Sequence, residues 1–147
     1  MQRRTFLHTT LGLGLSSLAF PNLHAIPPNP VLRFATASDG HFGQPGVDSE
    51  ANFQKLAEWM ASEKSGKGLD FVVINGDLFH DDPKFAPAVK AAFDRLPVPY
   101  YVTRGNHDHL SAEQWQQTWG YGLNHSFTFG DYGVVLLDTS DGTGKYV

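Results

Sequence analysis

At 147 residues the chain has the length of one domain, and 15 acidic against 11 basic residues give a formal charge of −4, which excludes binding to nucleic acid by charge alone. It has no cysteine, so disulfides, zinc–thiolate sites and iron–sulfur clusters are excluded. A hydrophobic share of 41% against 18% charged residues is enough to build a core.

The first 25 residues read as an address. Arg3 and Arg4 precede Phe6-Leu7 and an apolar stretch from Leu11 to Phe20, and no acid occurs before Asp39. A basic start, a short apolar run and a small residue at Ala25 describe a secretory signal peptide, too short to span a membrane. The arginine pair with Phe-Leu resembles a twin-arginine signal, so residues 1–25 are expected to be removed from an exported, periplasmic or extracellular protein. The export machinery would then be a partner of the precursor. Residues 26–30, rich in proline, read as a linker.

Beyond the linker, strands and helices alternate. Val31–Ala37 is an apolar run expected as a buried strand. Ser49-Glu50 opens a predicted helix with Phe53, Leu56, Ala57, Met60 and Ala61 on one face, ended by Gly66-x-Gly68. Phe71–Ile74 is a second short strand. Pro83 suits a first helical turn, with Ala88, Ala92, Phe93 and Leu96 at helical spacing behind it, stopped by Pro97 and Pro99. Val98–Val102 is a third strand. Ser111-x-x-Gln114 is a capping box ahead of a helix that places Trp115 and Trp119 on one face, expected as core packing. Ser126–Phe129 and Tyr132–Leu137 flank Gly130-Asp131 as a hairpin. The order βαβαβα plus hairpin predicts an α/β fold with a mainly parallel sheet.

Each strand is followed at once by polar residues and glycine: Ser38-Asp39-Gly40-His41, then Asn75-Gly76-Asp77, then Arg104-Gly105-Asn106-His107-Asp108-His109. Ligands of open α/β sheets bind outside the carboxyl ends of the strands, so these clusters are expected to converge. Asp39, His41, Asp77 and Asn106 offer oxygen and imidazole donors, a set suited to Mn, Fe, Zn or Ni ions. Two such ions sharing a carboxylate can activate water and clamp a phosphoryl oxygen. Arg104 reads as either a substrate-phosphate contact or a surface residue. His80, Asp81 and Asp82 read as a solvated loop with a helix cap ahead of Pro83.

DGH at 39–41, GD at 76–77 and GNHD at 105–108 are similar to the first three motifs of the calcineurin-like metallophosphoesterases, over about Val31 to Thr139. The resemblance implies a four-layer αββα sandwich, of which residues 31–147 would be the first half, and a dinuclear site of two divalent or trivalent ions. Carried over, Asp39 and His41 would hold the first ion, Asp77 would bridge and Asn106 would hold the second. His107 would act at the leaving-group oxygen, oriented by Asp108. The implied activity is hydrolysis of phosphomonoesters or phosphodiesters by metal-bound hydroxide, with a phosphoester as substrate and no stable nucleic-acid or membrane partner.

The family's later histidine motifs are not found, because after GNHD only His109 and His125 remain, and His125 falls where the family has no ligand. His80 also stands where the purple acid phosphatase branch expects a tyrosine. The sequence therefore reads as the first part of a longer domain. Alone it is expected to fold poorly, to bind at most one ion well and to show little activity. Two alternatives follow: a catalytically incompetent metal-binding fragment, and a metal-independent hydrolase using Asp39 and Asp77 as acid and base.

Overall fold

Three short apolar runs form one parallel sheet in the computed structural model, which describes residues 32–145. The expected signal peptide over residues 1–25, the linker over 26–30, Val31 of the first strand and the Tyr146-Val147 terminus lie outside the described residues. Strands β1 (Phe34–Ser38), β2 (Phe71–Asn75) and β3 (Tyr100–Thr103) lie in the order β1-β2-β3. Both pairings are parallel, with Ala35 opposite Val72 and Ile74 opposite Val102. Strand β1 is not the buried run expected over Val31–Ala37: its ladder with β2 begins at Phe34 opposite Phe71 and continues to Ser38 opposite Asn75, and as an outer strand of the described sheet it has no fully buried residue, with Phe34 exposed. Strand β3 starts at Tyr100 rather than Val98: Pro99 has no N–H for a ladder, and only its carbonyl pairs, accepting from Val72 N at 3.0 Å.

The two-residue period of the strands sorts their side chains into two faces. Ala35, Ala37, Val72, Ile74, Tyr100 and Val102 face the helices and join the main core. Phe34, Phe71 and Tyr101 face the other way. Helix α1 (Ser49–Lys67) is capped by Asp48, whose carboxylate accepts from Ala51 N, and ends on Gly68 at φ 79°. Its buried stripe is Phe53 and Met60 with Leu56 packed beside them, while Ala61 is exposed. Asp82 caps a 3₁₀ turn, Pro83–Phe85, that leads into α2 (Ala86–Phe93). Here the buried face is Ala86, Val89, Ala92 and Phe93, so the expected Ala88 points outward, one position off the stripe. Helix α3 (Ala112–Trp119) carries both hydrogen bonds of the Ser111–Gln114 capping box and buries Trp115 and Trp119, as expected.

Strands β4 (His125–Phe129) and β5 (Tyr132–Leu136) form the antiparallel hairpin. Phe127 stacks on Tyr101 with ring centroids 3.4 Å apart, and Phe129 packs on Phe71. The described residues thus supply three layers: helices, parallel sheet and hairpin. On the hairpin, Val135 and Leu137 are exposed. Among the described residues no helix is long and apolar enough to cross a membrane.

Candidate functional site

Strands β1 and β2 keep pairing after the sheet ends. His41 N donates to Asp77 O at 2.8 Å, Phe42 N to Leu78 O at 3.1 Å and His80 N to Phe42 O at 3.0 Å. The buried rings of Phe42 and Phe79 anchor this extension as an isolated parallel bridge. The two loops therefore run side by side, and the polar residues they carry emerge at one end of the sheet. The loop after β3 joins them through two glycines. A β-carbon on Gly76 would stand 2.7 Å from Gly105 Cα, and one on Gly105 would collide with Asp77 N and Oδ1. Only glycine at both positions allows so close an approach.

The turns leave Asp39, His41, Asp77, Asp81 and His109 at positive φ, and these are all the non-glycine residues so placed among the described residues. Each such conformation costs of order 1–3 kcal/mol. Its concentration at this one end marks the strand-end loops as the place where the fold is bent for a purpose other than stability.

Asp39, His41 and Asp77 come together as the sequence predicts. His41 Nε2 lies 3.9 Å from Asp39 Oδ1 and 3.7 Å from Asp77 Oδ2, and one donor atom from each residue falls within 4.8 Å of the others. Asp39 is exposed and Asp77 largely buried, and Asp77 Oδ1 also accepts from His107 N at 3.0 Å. Two carboxylates and one imidazole fit a hard or borderline cation, which binds such donors at about 2.0–2.2 Å. Asn106 lines the same cavity as Asp39 and Asp77, a space of about 530 Å³ walled on its far side by Leu137 and Ser140.

His107 stands next to this group, 4.8 Å from His41 between ring centroids. Its Nδ1 is 2.7 Å from Asp81 Oδ1, and His109 Nε2 reaches the same oxygen at 3.2 Å. The Asp81 carboxylate raises the His107 pKa above its ordinary value, against a smaller opposing effect of burial. His107 in turn holds Asp81 below the usual carboxylate range.

Two expectations need correction. Asp108 does not orient the His107 ring. It is fully buried, and its carboxylate accepts from the backbone N–H groups of Leu78 (2.7 Å), Phe79 (3.2 Å) and Gly105 (2.7 Å). Burial pushes it up to about 6, with the three N–H donors pulling the other way. It is a clamp between the β2 and β3 loops. Arg104 lines the same cavity but is not a surface residue, and its guanidinium is already taken up by partners within the protein. It is buried in a two-point pair with Asp138 (2.6 and 3.3 Å) and donates to the carbonyls of Leu110 and Ser140.

Sequence reasoning missed His80 and Asp81. Asp82 caps the following turn as expected, yet His80 packs against His41 and His107, and Asp81 holds His107 and His109. The available signal was the pair of phenylalanines, Phe42 and Phe79, just beyond the two acidic turns. Apolar residues there extend the strand pairing and carry His80 alongside His41. His125 stacks on Tyr121 at 4.0 Å in the hairpin layer, and burial lowers its pKa.

The chain is similar to known proteins over most of this region. The family model described as calcineurin-like phosphoesterase matches residues 32–144. Tartrate-resistant acid phosphatase type 5 of Mus musculus is 36% identical over 110 residues, covering 67% of this chain and 33% of that protein. The DNA double-strand break repair protein Mre11 of Archaeoglobus fulgidus is 30% identical over 91 residues, covering 56% of this chain and 20% of that protein. The chain thus spans about a third and a fifth of these curated relatives. With three strand-end clusters gathered on one parallel sheet and the match running through nearly all the described residues, the chain belongs to the calcineurin-like phosphoesterase family.

Proposed function

We propose that this chain carries the metal-binding end of a hydrolase that cleaves phosphomonoesters or phosphodiesters with two metal ions. Members of the family are metal-dependent phosphoester hydrolases. The observation that carries the proposal is the convergence of Asp39, His41 and Asp77, three donors from two loops, beside a histidine held by its own carboxylate. In this reading Asp39, His41 and Asp77 hold one ion, and Asp77 with Asn106 contributes to the second. Bound there, such ions lower the pKa of water and draw charge from a phosphoryl group.

The protein's own groups do the rest. His107, with Nδ1 tied to Asp81, has Nε2 left to face the substrate. The neighbouring carboxylate keeps that imidazole protonated to higher pH than a free one, which suits a donor of a proton to the leaving oxygen. Asp81 takes the positioning role that the motif suggested for Asp108, and Asp108 keeps the two loops in register. The cavity beside Asp39 and Asn106 is open enough for a phosphoryl group to enter.

The test is hydrolysis of an aryl phosphate and an aryl phosphodiester by the full-length protein. Turnover is expected to vanish on chelation, to return with Mn²⁺, and to fall at least a hundredfold in D77N. Activity that survives chelation would instead favour acid–base hydrolysis without metal.

We also propose that the precursor is exported by the twin-arginine route, a reading supported by Arg3-Arg4 ahead of Phe6-Leu7. Replacing both arginines with lysine should strand the protein in the cytoplasm. Continued export of the double variant would contradict the route.

A further inference from the structure

At the end of β3 opposite the polar loops lies an aromatic cavity of about 360 Å³, whose lining includes Phe93, Leu96, Pro99, Tyr100, Trp119 and Tyr121. It sits where the end of α2, the end of α3 and the start of β3 meet. It shares no lining residue with the cavity beside Asp39 and Asp77. Among the described residues β3 is an outer strand of its sheet, and Tyr121 covers part of its free edge, the hydroxyl oxygen accepting from Val102 N at 3.0 Å. The walls are rings set at angles to one another. Tyr100 stands at 90° to Trp119 with centroids 6.5 Å apart, and at 57° to Phe93 at 5.6 Å.

The polar groups around this cavity are unevenly matched. Among the described residues Asp94 is the one carboxylate lining it, and both its oxygens are engaged. Lys90 Nζ reaches them at 2.6 and 2.9 Å, and the Tyr100 hydroxyl donates to Oδ1 at 2.7 Å. Two donors are left over. The Tyr121 hydroxyl accepts from Val102 N and donates to nothing among the described residues. Burial pushes its phenol up to about 12, so it keeps that proton. Trp119 is 7% exposed, and its Nε1–H is buried without an acceptor.

A ligand that fits must bring acceptors and apolar rings and few donors of its own, since a donor buried here would lack a partner. A sugar fails that test, because each hydroxyl is also a donor. A polyproline II segment meets it: its carbonyls make no internal hydrogen bonds, its prolines have no N–H, and their rings are apolar. Aromatic-lined grooves receive such segments in other domains. We propose that this cavity is a docking site for a proline-rich, extended segment of a partner protein, with prolyl rings against Tyr100 and Tyr121 and a peptide carbonyl on the Tyr121 hydroxyl. The site stands whether or not the chain hydrolyses phosphoesters.

The full-length protein, isotope-labelled at its indole nitrogens, is titrated with a synthetic Pro-Pro-Leu repeat peptide and with a control in which alanine replaces proline. The proline peptide is expected to bind saturably and the alanine peptide about tenfold more weakly, because only the first is preorganised. The Trp119 indole signal should move, while that of Trp59, exposed on α1, stays in place. Y121F keeps the ring and loses the hydroxyl, and should weaken the proline peptide about tenfold. Absence of saturable binding, equal binding of the alanine peptide, a shift confined to Trp59, or unchanged affinity in Y121F would each overturn the proposal. Loss of phosphoester hydrolysis at saturating peptide would put the peptide at the other end of the sheet and overturn it too. If Y121F does not fold, L96K decides the question: a charge on the cavity wall should abolish binding, and unchanged affinity would contradict the site.

Discussion

At the scale of single residues, Asp108 shows how a motif position acquires its role from burial. A carboxylate with no exposed surface is costly unless its oxygens are satisfied. Both oxygens of Asp108 are satisfied, but by backbone amides from two loops rather than by the adjacent histidine. An asparagine there would turn its NH₂ group toward either Gly105 N or the Leu78 and Phe79 amides, leaving at least one buried N–H without an acceptor. D108N should therefore lose about 1–3 kcal/mol of stability, read by chemical denaturation of the full-length protein. Unchanged stability would contradict the clamp. Asp39, His41 and Asp77 were legible in the sequence because each follows an apolar strand beside a glycine, a local pattern. The role of Asp108 was not, because backbone amides carry no side-chain signature. Asp81 was missed for a related reason: its partners His107 and His109 lie 26 and 28 residues away, and only the folded loops bring them together.

At the scale of elements, strand existence was legible from apolar runs bounded by glycine and proline, and strand ends were not. Val98-Pro99 reads as strand by composition, yet Pro99 cannot donate to the ladder, so β3 begins after it. On α2 the expected Ala92 and Phe93 are buried and Leu96 just beyond packs beside them, and only Ala88 turns outward, with Ala86 and Val89 supplying the first turns of the stripe. Arg104 belongs to this scale because it joins elements. Its guanidinium ties the end of β3 to Asp138 after β5 and to the Leu110 carbonyl ahead of α3, spanning 34 residues of sequence. Both side chains of the pair are almost fully buried. Removing one partner strands the other charge, so R104A should cost about 3–5 kcal/mol. An ordinary surface arginine would cost less than about 1 kcal/mol, and a loss that small in urea denaturation would contradict the buried clamp.

At the scale of the whole molecule, one parallel sheet gives the chain its chemistry. Parallel strands point all their carboxyl ends the same way, which brings clusters far apart in sequence to one end of the sheet. That is why three short motifs point to the family and the fold class from sequence alone, and why the hairpin is also legible there. The packing of His80 against His41 and His107 is not, since it depends on β1 and β2 pairing beyond their regular ends through Phe42 and Phe79. The central claim is that Asp39, His41 and Asp77 jointly hold a metal ion. Anomalous diffraction from crystals of the full-length protein grown with Mn²⁺ tests it most directly. The account predicts a manganese peak within about 2.0–2.4 Å of a donor atom of all three residues, and its disappearance in D77N. A peak bound elsewhere, or none at saturating Mn²⁺, would contradict it.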